Sequence, residues 1–296
     1  MDVSPTKILL ATDGSEDAVR ATEAAVDLSK RTGAELHVVH AWHDVPTAYA
    51  DVFIREGLRE QGKEILDGEV RRIEGLGGTT AGAHLREGRT SDEVISCSED
   101  LGAYLLVVGS RGLGTVRRLL MGSTSEDIVH RARIPVLVLR GATPWPPTSL
   151  VVGDDYSEDA RLAAEFAGAM GALYGLEAVL VHAYPPDLDA SEEMLRRAGE
   201  ELERRAADLE DILGYRPATR MVAGDAAVAV LEAADDYGGP DGSTFVAVGS
   251  RGLGVVDRLR LGNTSTKVVR AARGPALVYP HPPRGQEYGS PLPPTR

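Results

Sequence analysis

Cysteine is almost absent from these 296 residues: Cys97 stands alone. No internal disulfide can form, and nothing demands an oxidising compartment. No stretch approaches 18 uninterrupted apolar residues, which argues against a membrane-spanning helix. Met1 to Thr6 runs straight into a strand pattern without a basic-then-apolar leader, so the expected address is the cytoplasm. Positive charge is in deficit, 32 Lys and Arg against 45 Asp and Glu for a net −13. That balance argues against nucleic acid and anionic membrane as partners, since both reward clustered positive charge. The lysine-based phosphate loop G-x-x-x-x-G-K-[ST] is missing as well. The one Gly-Lys pair, Gly62-Lys63, is followed by Glu64 in a helical stretch, and neither half carries G-x-G-x-x-G after its first strand. What is present is ordinary globular material. Apolar residues make up 43%, and 33 Gly with 17 Pro exclude a collagen-like or wholly disordered chain. The length suits two domains of about 145 residues, each able to bury about 68–70% of its unfolded surface.

The chain is written twice. Val108 to Ser125 reads VGSRGLGTVRRLLMGSTS and Val248 to Ser265 reads VGSRGLGVVDRLRLGNTS, identical at 13 of 18 positions without a gap. Asp13 in LLATDGSEDA matches Asp155 in VVGDDYSEDA, and His40-Ala41 matches His182-Ala183. Such self-similarity marks a duplicated unit. The expected organisation is a first domain over residues 1–140, a Pro-rich connection over 141–148, a second domain over 149–281, and a disordered tail over 282–296 that holds five prolines.

Within each half, short apolar runs alternate with helix-period segments. Strands are predicted at Lys7–Thr12, Glu35–Ala41, Thr80–Arg86, Tyr104–Gly109 and Pro135–Arg140, then at Leu150–Asp154, Glu177–Ala183, Ala218–Val222, Phe245–Gly249 and Ala276–Tyr279. Runs such as LLVVG and VLVLR are apolar at every position, as strands covered on both faces of a parallel sheet must be. Helices are predicted at Ser15–Arg31, Ala50–Leu76, Ser91–Leu101 and Ser123–Arg131. In the second half, Leu195, Ala198, Leu202, Leu209 and Leu213 line one helix face. The fold class is therefore α/β: two tandem, doubly wound domains, each a five-stranded parallel sheet with helices on both faces.

Ligands of such sheets bind at the carboxyl ends of the strands, where the winding reverses. Gly109 closes the fourth strand, Gly112 follows, and Gly122-Ser123 opens a helix; Gly249, Gly252 and Gly262-Asn263 repeat the pattern. Glycine lets backbone approach an anion, and a helix start presents free N–H groups to it, which makes phosphate the expected guest. Ser123, Thr124 and Ser125 add hydroxyl donors, with Arg118 and Arg258 as matched nearby charges. Two bland alternatives stay open. Gly109, Gly112 and Gly122 would be turn residues, with Ser123 and Glu126 a capping box; Asp13 and Asp155 would only support helix starts. His37 and His40 face opposite sides of a strand, so with His43 they form no metal cluster. Arg111 and Arg251 suit phosphate or solvent equally, and Cys97 is read as structural.

The spacing G-x2-G-x9-G-[ST] in Gly109, Gly112, Gly122 and Ser123, with the first-strand Asp13 and the V-H-A segment, resembles the ATP-binding type of universal stress protein over almost the whole chain. The resemblance implies strand order 3-2-1-4-5 and ATP, with or without Mg, as cofactor. It implies that Asp13 and Gly109 meet the ribose, backbone at Ala41 the adenine, and Gly112, Gly122, Ser123 and Ser125 the phosphates. The matching positions are Asp155, Ala183, Gly249, Gly252, Gly262 and Ser265, with Asn263 standing where Ser or Thr is expected. Asn still caps a helix and donates through its amide. The function so implied is a non-catalytic, nucleotide-dependent regulatory module of the stress response. Its partners would be adenine nucleotide and either another protein or a second copy. The competing readings are a slow ATPase or phosphoryl-transfer enzyme in the same crevice and a scaffold that has lost nucleotide.

Overall fold

The computed structural model describes residues 6–42, 52–110, 121–140, 143–186, 191–238, 243–250 and 262–281. Gly112, Gly252, Arg111, Arg118, Arg251, Arg258, His43 and the 282–296 tail lie outside the described residues. The chain divides into two compact units between residues 141 and 142.

The first unit runs β1 (Lys7–Ala11), α1 (Glu16–Thr32), β2 (Glu35–Trp42), α2 (Val52–Gly75), β3 (Thr80–Glu87), α3 (Thr90–Leu101), β4 (Leu105–Gly109), α4 (Ser123–Arg131) and β5 (Val136–Leu139). All neighbours pair in parallel, in the order β3-β2-β1-β4-β5. The second unit repeats it with β6 (Ser149–Gly153), α5 (Glu158–Tyr174), β7 (Glu177–Tyr184), α6 (Glu192–Leu213), β8 (Ala218–Ala223), α7 (Ala226–Gly238), β9 (Thr244–Gly249), α8 (Asn263–Ala271) and β10 (Ala276–Tyr279). Its order is β8-β7-β6-β9-β10, again all parallel. Both units thus have the 3-2-1-4-5 winding and the α/β class expected from the sequence.

Local chemistry explains the elements. The Ser15 hydroxyl caps α1 by accepting from Ala18 N–H, Glu16 and Asp17 sit in the first turn, and Lys30 and Arg31 sit in the last. These charges oppose the helix dipole at each end. Gly33 closes the helix at φ +71, a conformation costly for any side chain. Ser157 and Gly175 do the same for α5. The buried faces of α1 and α5 are rich in alanine (Ala18, Ala21, Ala24 and Ala25; Ala160, Ala163, Ala164 and Ala167), so both helices approach the sheet closely. Below them lie strands with no exposed face: Ile8, Leu9 and Leu10 in β1 and Leu150, Val151 and Val152 in β6 are fully buried. The outer strand β3 alternates between half-buried and exposed positions, because only one neighbour covers it.

Residues 143–148 dock on the second unit. Trp145 meets Tyr174 edge-on at 5.4 Å, and Thr148 N–H donates to the Ser243 carbonyl. The capping-box alternative at Ser123 and Glu126 is overturned. Gly122 is the N-cap of α4 and makes no side-chain cap bond, and Ser123 already belongs to the helix. A hydroxyl on a residue with helical backbone cannot fold back onto the first turn as a cap does.

Candidate functional site

In each unit the winding reverses between the first and fourth strands, leaving a crevice at their carboxyl ends. In the second unit this crevice is lined by Asp155, Ala183, Gly249 and Ser265 from the predicted set, with Thr264 beside them. Val181, Val230 and Val248 form an apolar wall. Gly262 and Asn263 adjoin Thr264 at the start of α8. In the first unit the cavity at the start of α4 contains Ser123 and Thr124 together with Arg89, Thr90, Ser91 and Asp127. Asp13, Ala41 and Gly109 are not among its lining residues; they stand at the ends of the neighbouring strands β1, β2 and β4.

Six of the predicted residues have traceable contacts. Asp13 Oδ1 accepts from Ser15 N–H at 3.0 Å, and Asp155 Oδ1 from Ser157 N–H at 3.1 Å. Both carboxylates thus support a helix start, as the bland alternative requires, and in the second unit the same bond holds Asp155 at the crevice it lines. Gly109 and Gly249 are required by packing. A Cβ on Gly109 would lie 3.1 Å from the Asp17 carbonyl group, and one on Gly249 would lie 2.7 Å from the Asp159 backbone carbon. The Ser125 hydroxyl donates to the Gly109 carbonyl at 2.7 Å, and Ser265 to Gly249 at 2.6 Å. These two hydroxyl protons hold the strand end to the helix, so they are committed within the protein rather than offered to the crevice. What the helices do offer is backbone. Both α4 and α8 begin on an extended glycine, Gly122 or Gly262, without a side-chain cap bond, and a helix start leaves its first N–H groups without intrahelical partners.

The sequence reading missed several residues that shape this region. His40 and His182 each direct Nδ1 to a backbone carbonyl just past the first strand, Thr12 at 2.8 Å and Asp154 at 2.7 Å. A carbonyl only accepts, so Nδ1 carries the proton, which settles the tautomer. His37 does not join them, as its strand position predicted, and it pairs instead with His84 at 3.2 Å. Ser110 and Ser250 tie the stem of the glycine segment. Ser110 N–H donates to Leu139 O and its carbonyl accepts from Gly122 N–H; Ser250 repeats this with Tyr279 and Gly262. Their hydroxyls reach buried carboxylates, Asp17 Oδ2 at 3.0 Å and Asp159 Oδ2 at 3.1 Å. The recurrence of both Ser in VGSRG and Asp in SEDA was the available signal.

The two crevices differ in their surroundings. Beneath Asp13, the Thr12 and Thr22 hydroxyls donate to the buried Glu69 carboxylate. Beneath Asp155, a carboxylate and a guanidinium replace them: Asp154 faces Arg205 at 3.9 Å, and burial pushes the Asp154 carboxyl above its ordinary range. Tyr156 takes the position of Gly14 at φ +65, stacks on His182 at 4.1 Å and donates to the Ala198 carbonyl. At the rim, Arg89 pairs with Asp127 at 3.0 Å in the first unit; the equivalent pair in the second, Asp225 and Lys267 at 2.8 Å, has its signs exchanged. The contact between the third and fourth helices is kept while its polarity is not. No group of His, Cys, Asp or Glu among the described residues converges as a metal site.

Two doubly wound units, each with a switch-point crevice flanked by an uncapped helix start, define a tandem α/β protein with one candidate ligand crevice per repeat. The profile of the universal stress protein family matches residues 5–140 and again residues 148–280, and the chain belongs to that family. It is 36% identical over 135 residues to a universal stress protein of Thermus aquaticus, an alignment covering 45% of this chain and 97% of that one. With a universal stress protein of Mycobacterium tuberculosis it shares 32% over 189 residues, covering 60% of this chain and 61% of the other. The crystal structure of a universal stress protein from Archaeoglobus fulgidus matches its fold with TM-score 0.72 at 23% identity, over 94% of this chain and 99% of that one. No helix among the described residues is long and apolar enough to cross a membrane.

Proposed function

We propose that each unit holds ATP at its switch-point crevice and that the protein acts as a non-catalytic, nucleotide-dependent regulator of the stress response in the cytoplasm. The observation that carries this reading is the pair of helix starts at Gly122 and Gly262, which bear no side-chain cap, together with the valine-walled crevice of the second unit. Unsatisfied N–H groups and the positive end of a helix dipole favour a phosphate, and the apolar wall favours a base. In this reading Asp13 and Asp155 accept from ribose hydroxyls or meet a phosphate-bound Mg. Gly112 and Gly252 are assigned by spacing to the phosphate approach, and Asn263 supplies an amide donor where Ser123 supplies a hydroxyl. When bound, ATP adds a compact run of negative charge whose presence would be read by a protein partner or a second copy.

Mass spectrometry of whatever is released on denaturing freshly purified protein tests this directly. Adenine nucleotide approaching two equivalents per chain is the expected result. Absence of nucleotide, with no binding on added ATP, would leave the scaffold reading. Incubation with labelled ATP separates the regulator from a slow ATPase: turnover abolished by Asp13→Ala with Asp155→Ala would establish the enzyme, and none above background is expected.

A further inference from the structure

His281, the last described residue, is tied back to the stem of the glycine segment. Its backbone N–H donates to the Ser250 hydroxyl oxygen at 3.0 Å, and that hydroxyl donates to Asp159 Oδ2 at 3.1 Å. His281 Nδ1 meets the other oxygen, Asp159 Oδ1, at 2.6 Å. The imidazole is 48% exposed, whereas the Asp159 side chain is 4% exposed. Ser250 also donates through its backbone to Tyr279 and accepts from Gly262 N–H, both at 2.7 Å. One serine therefore joins the end of β9, the start of α8, the first turn of α5 and the chain leaving β10. The first unit has the same serine and carboxylate, Ser110 and Asp17 at 3.0 Å. Its counterpart of His281 is position 141, a glycine, which has no side chain to offer.

Resting on the nucleotide reading above, we propose that His281 is a positioning residue for the second crevice. By occupying one oxygen of Asp159 it fixes the other on Ser250, and so sets the separation of Ser250 and Gly262, between which residues 251–261 leave and return. The N-terminus of α8 can grip a phosphate only while that stem is held. A buried carboxylate deprived of one donor readjusts around those that remain, and here the remaining side-chain donor is Ser250. The chain leaving the last strand and the ligand in the second crevice are thereby linked, and the linkage is reciprocal.

The test uses full-length protein and a fluorescent ATP analogue with Mg, chased with excess ATP in a stopped-flow instrument. Gly112→Val silences the first crevice and Gly252→Val the second. With only the second crevice active, His281→Ala should speed release about tenfold, the scale of one hydrogen bond to a charged group. His281→Asn, whose amide donor replaces Nδ1, should restore release to within about threefold of the parent. With only the first crevice active, His281→Ala should change nothing. Unaltered release from the second crevice in His281→Ala, or an equal effect on both crevices, overturns the role of His281 alone. A wild-type protein that fails to bind the analogue overturns the nucleotide reading and this inference with it.

Discussion

Glu69 shows how a single buried charge is made tolerable. Its carboxylate is almost fully buried on α2, and it accepts the hydroxyls of Thr12 from the end of β1 and Thr22 from α1, with Arg72 at 3.5 Å. Glu69→Ala should lower the unfolding free energy by about 2–4 kcal/mol, read from the urea midpoint, because two buried hydroxyls and a void remain. Glu69→Gln should cost less, since its carbonyl still accepts one hydroxyl. Cys97 presents the opposite case, a small side chain with no solvent access on α3. Burial pushes its thiol above the ordinary range, only partly offset by the Arg86 guanidinium. A thiolate is the reactive form, so native protein should resist maleimide labelling while protein in denaturant labels fully. The structural reading of Cys97 was legible from its isolation in the sequence. The role of Glu69 was not, because its partners lie 57 and 47 residues away.

Elements were predicted closely where composition alone decides them. The helix at Ser123–Arg131 and the strand at Ala276–Tyr279 have the predicted bounds, the other predicted ends agree or shift by one residue, and the predicted helix start at Ala50 lies outside the described residues. Pro135 falls outside β5 although its carbonyl accepts from Leu106, for a residue without N–H enters the ladder from one side only. Contacts across elements were less legible. On the edge strand β3, His84 faces His37 on β2 at 3.2 Å, and no periodicity announces that pair. Burial first, then the charges of His37 and Arg86, hold the His84 pKa below 6.5. The unfolded chain therefore binds a proton that the folded chain resists, so stability should fall as pH drops through 6.5 and level off below the folded pKa. Urea titrations at pH 7.5 and 5.5 should show that loss in wild type and a smaller one in His84→Gln.

For the molecule as a whole, duplication makes each unit a control for the other. ATP at a hundred times its dissociation constant should add about 2.7 kcal/mol to the stability of the unit that binds it, visible as a rise in Tm. Gly112→Val and Gly252→Val should each remove about half the calorimetric heat. The double variant should remove all of it while circular dichroism stays nearly unchanged. Heat retained in the double variant would displace the phosphates from the positions the glycine spacing assigns.

The sequence by itself determined the repeat, the α/β class, the winding order through its resemblance to universal stress proteins, and the residues gathered at the strand ends. Those features are local or periodic, and apolar patterning, capping residues and glycine spacing all speak along the chain. Only the tertiary structure decided what those residues do with their hydrogen bonds. It committed the Ser125 and Ser265 hydroxyls to strand carbonyls, gave Gly109 and Gly249 a packing duty and replaced the Thr12–Glu69 contact by Asp154 and Arg205. It also joined Ser250, Asp159 and His281 across 122 residues of chain. Each such bond depends on donors and acceptors brought together by folding, and a linear pattern holds no measure of that proximity.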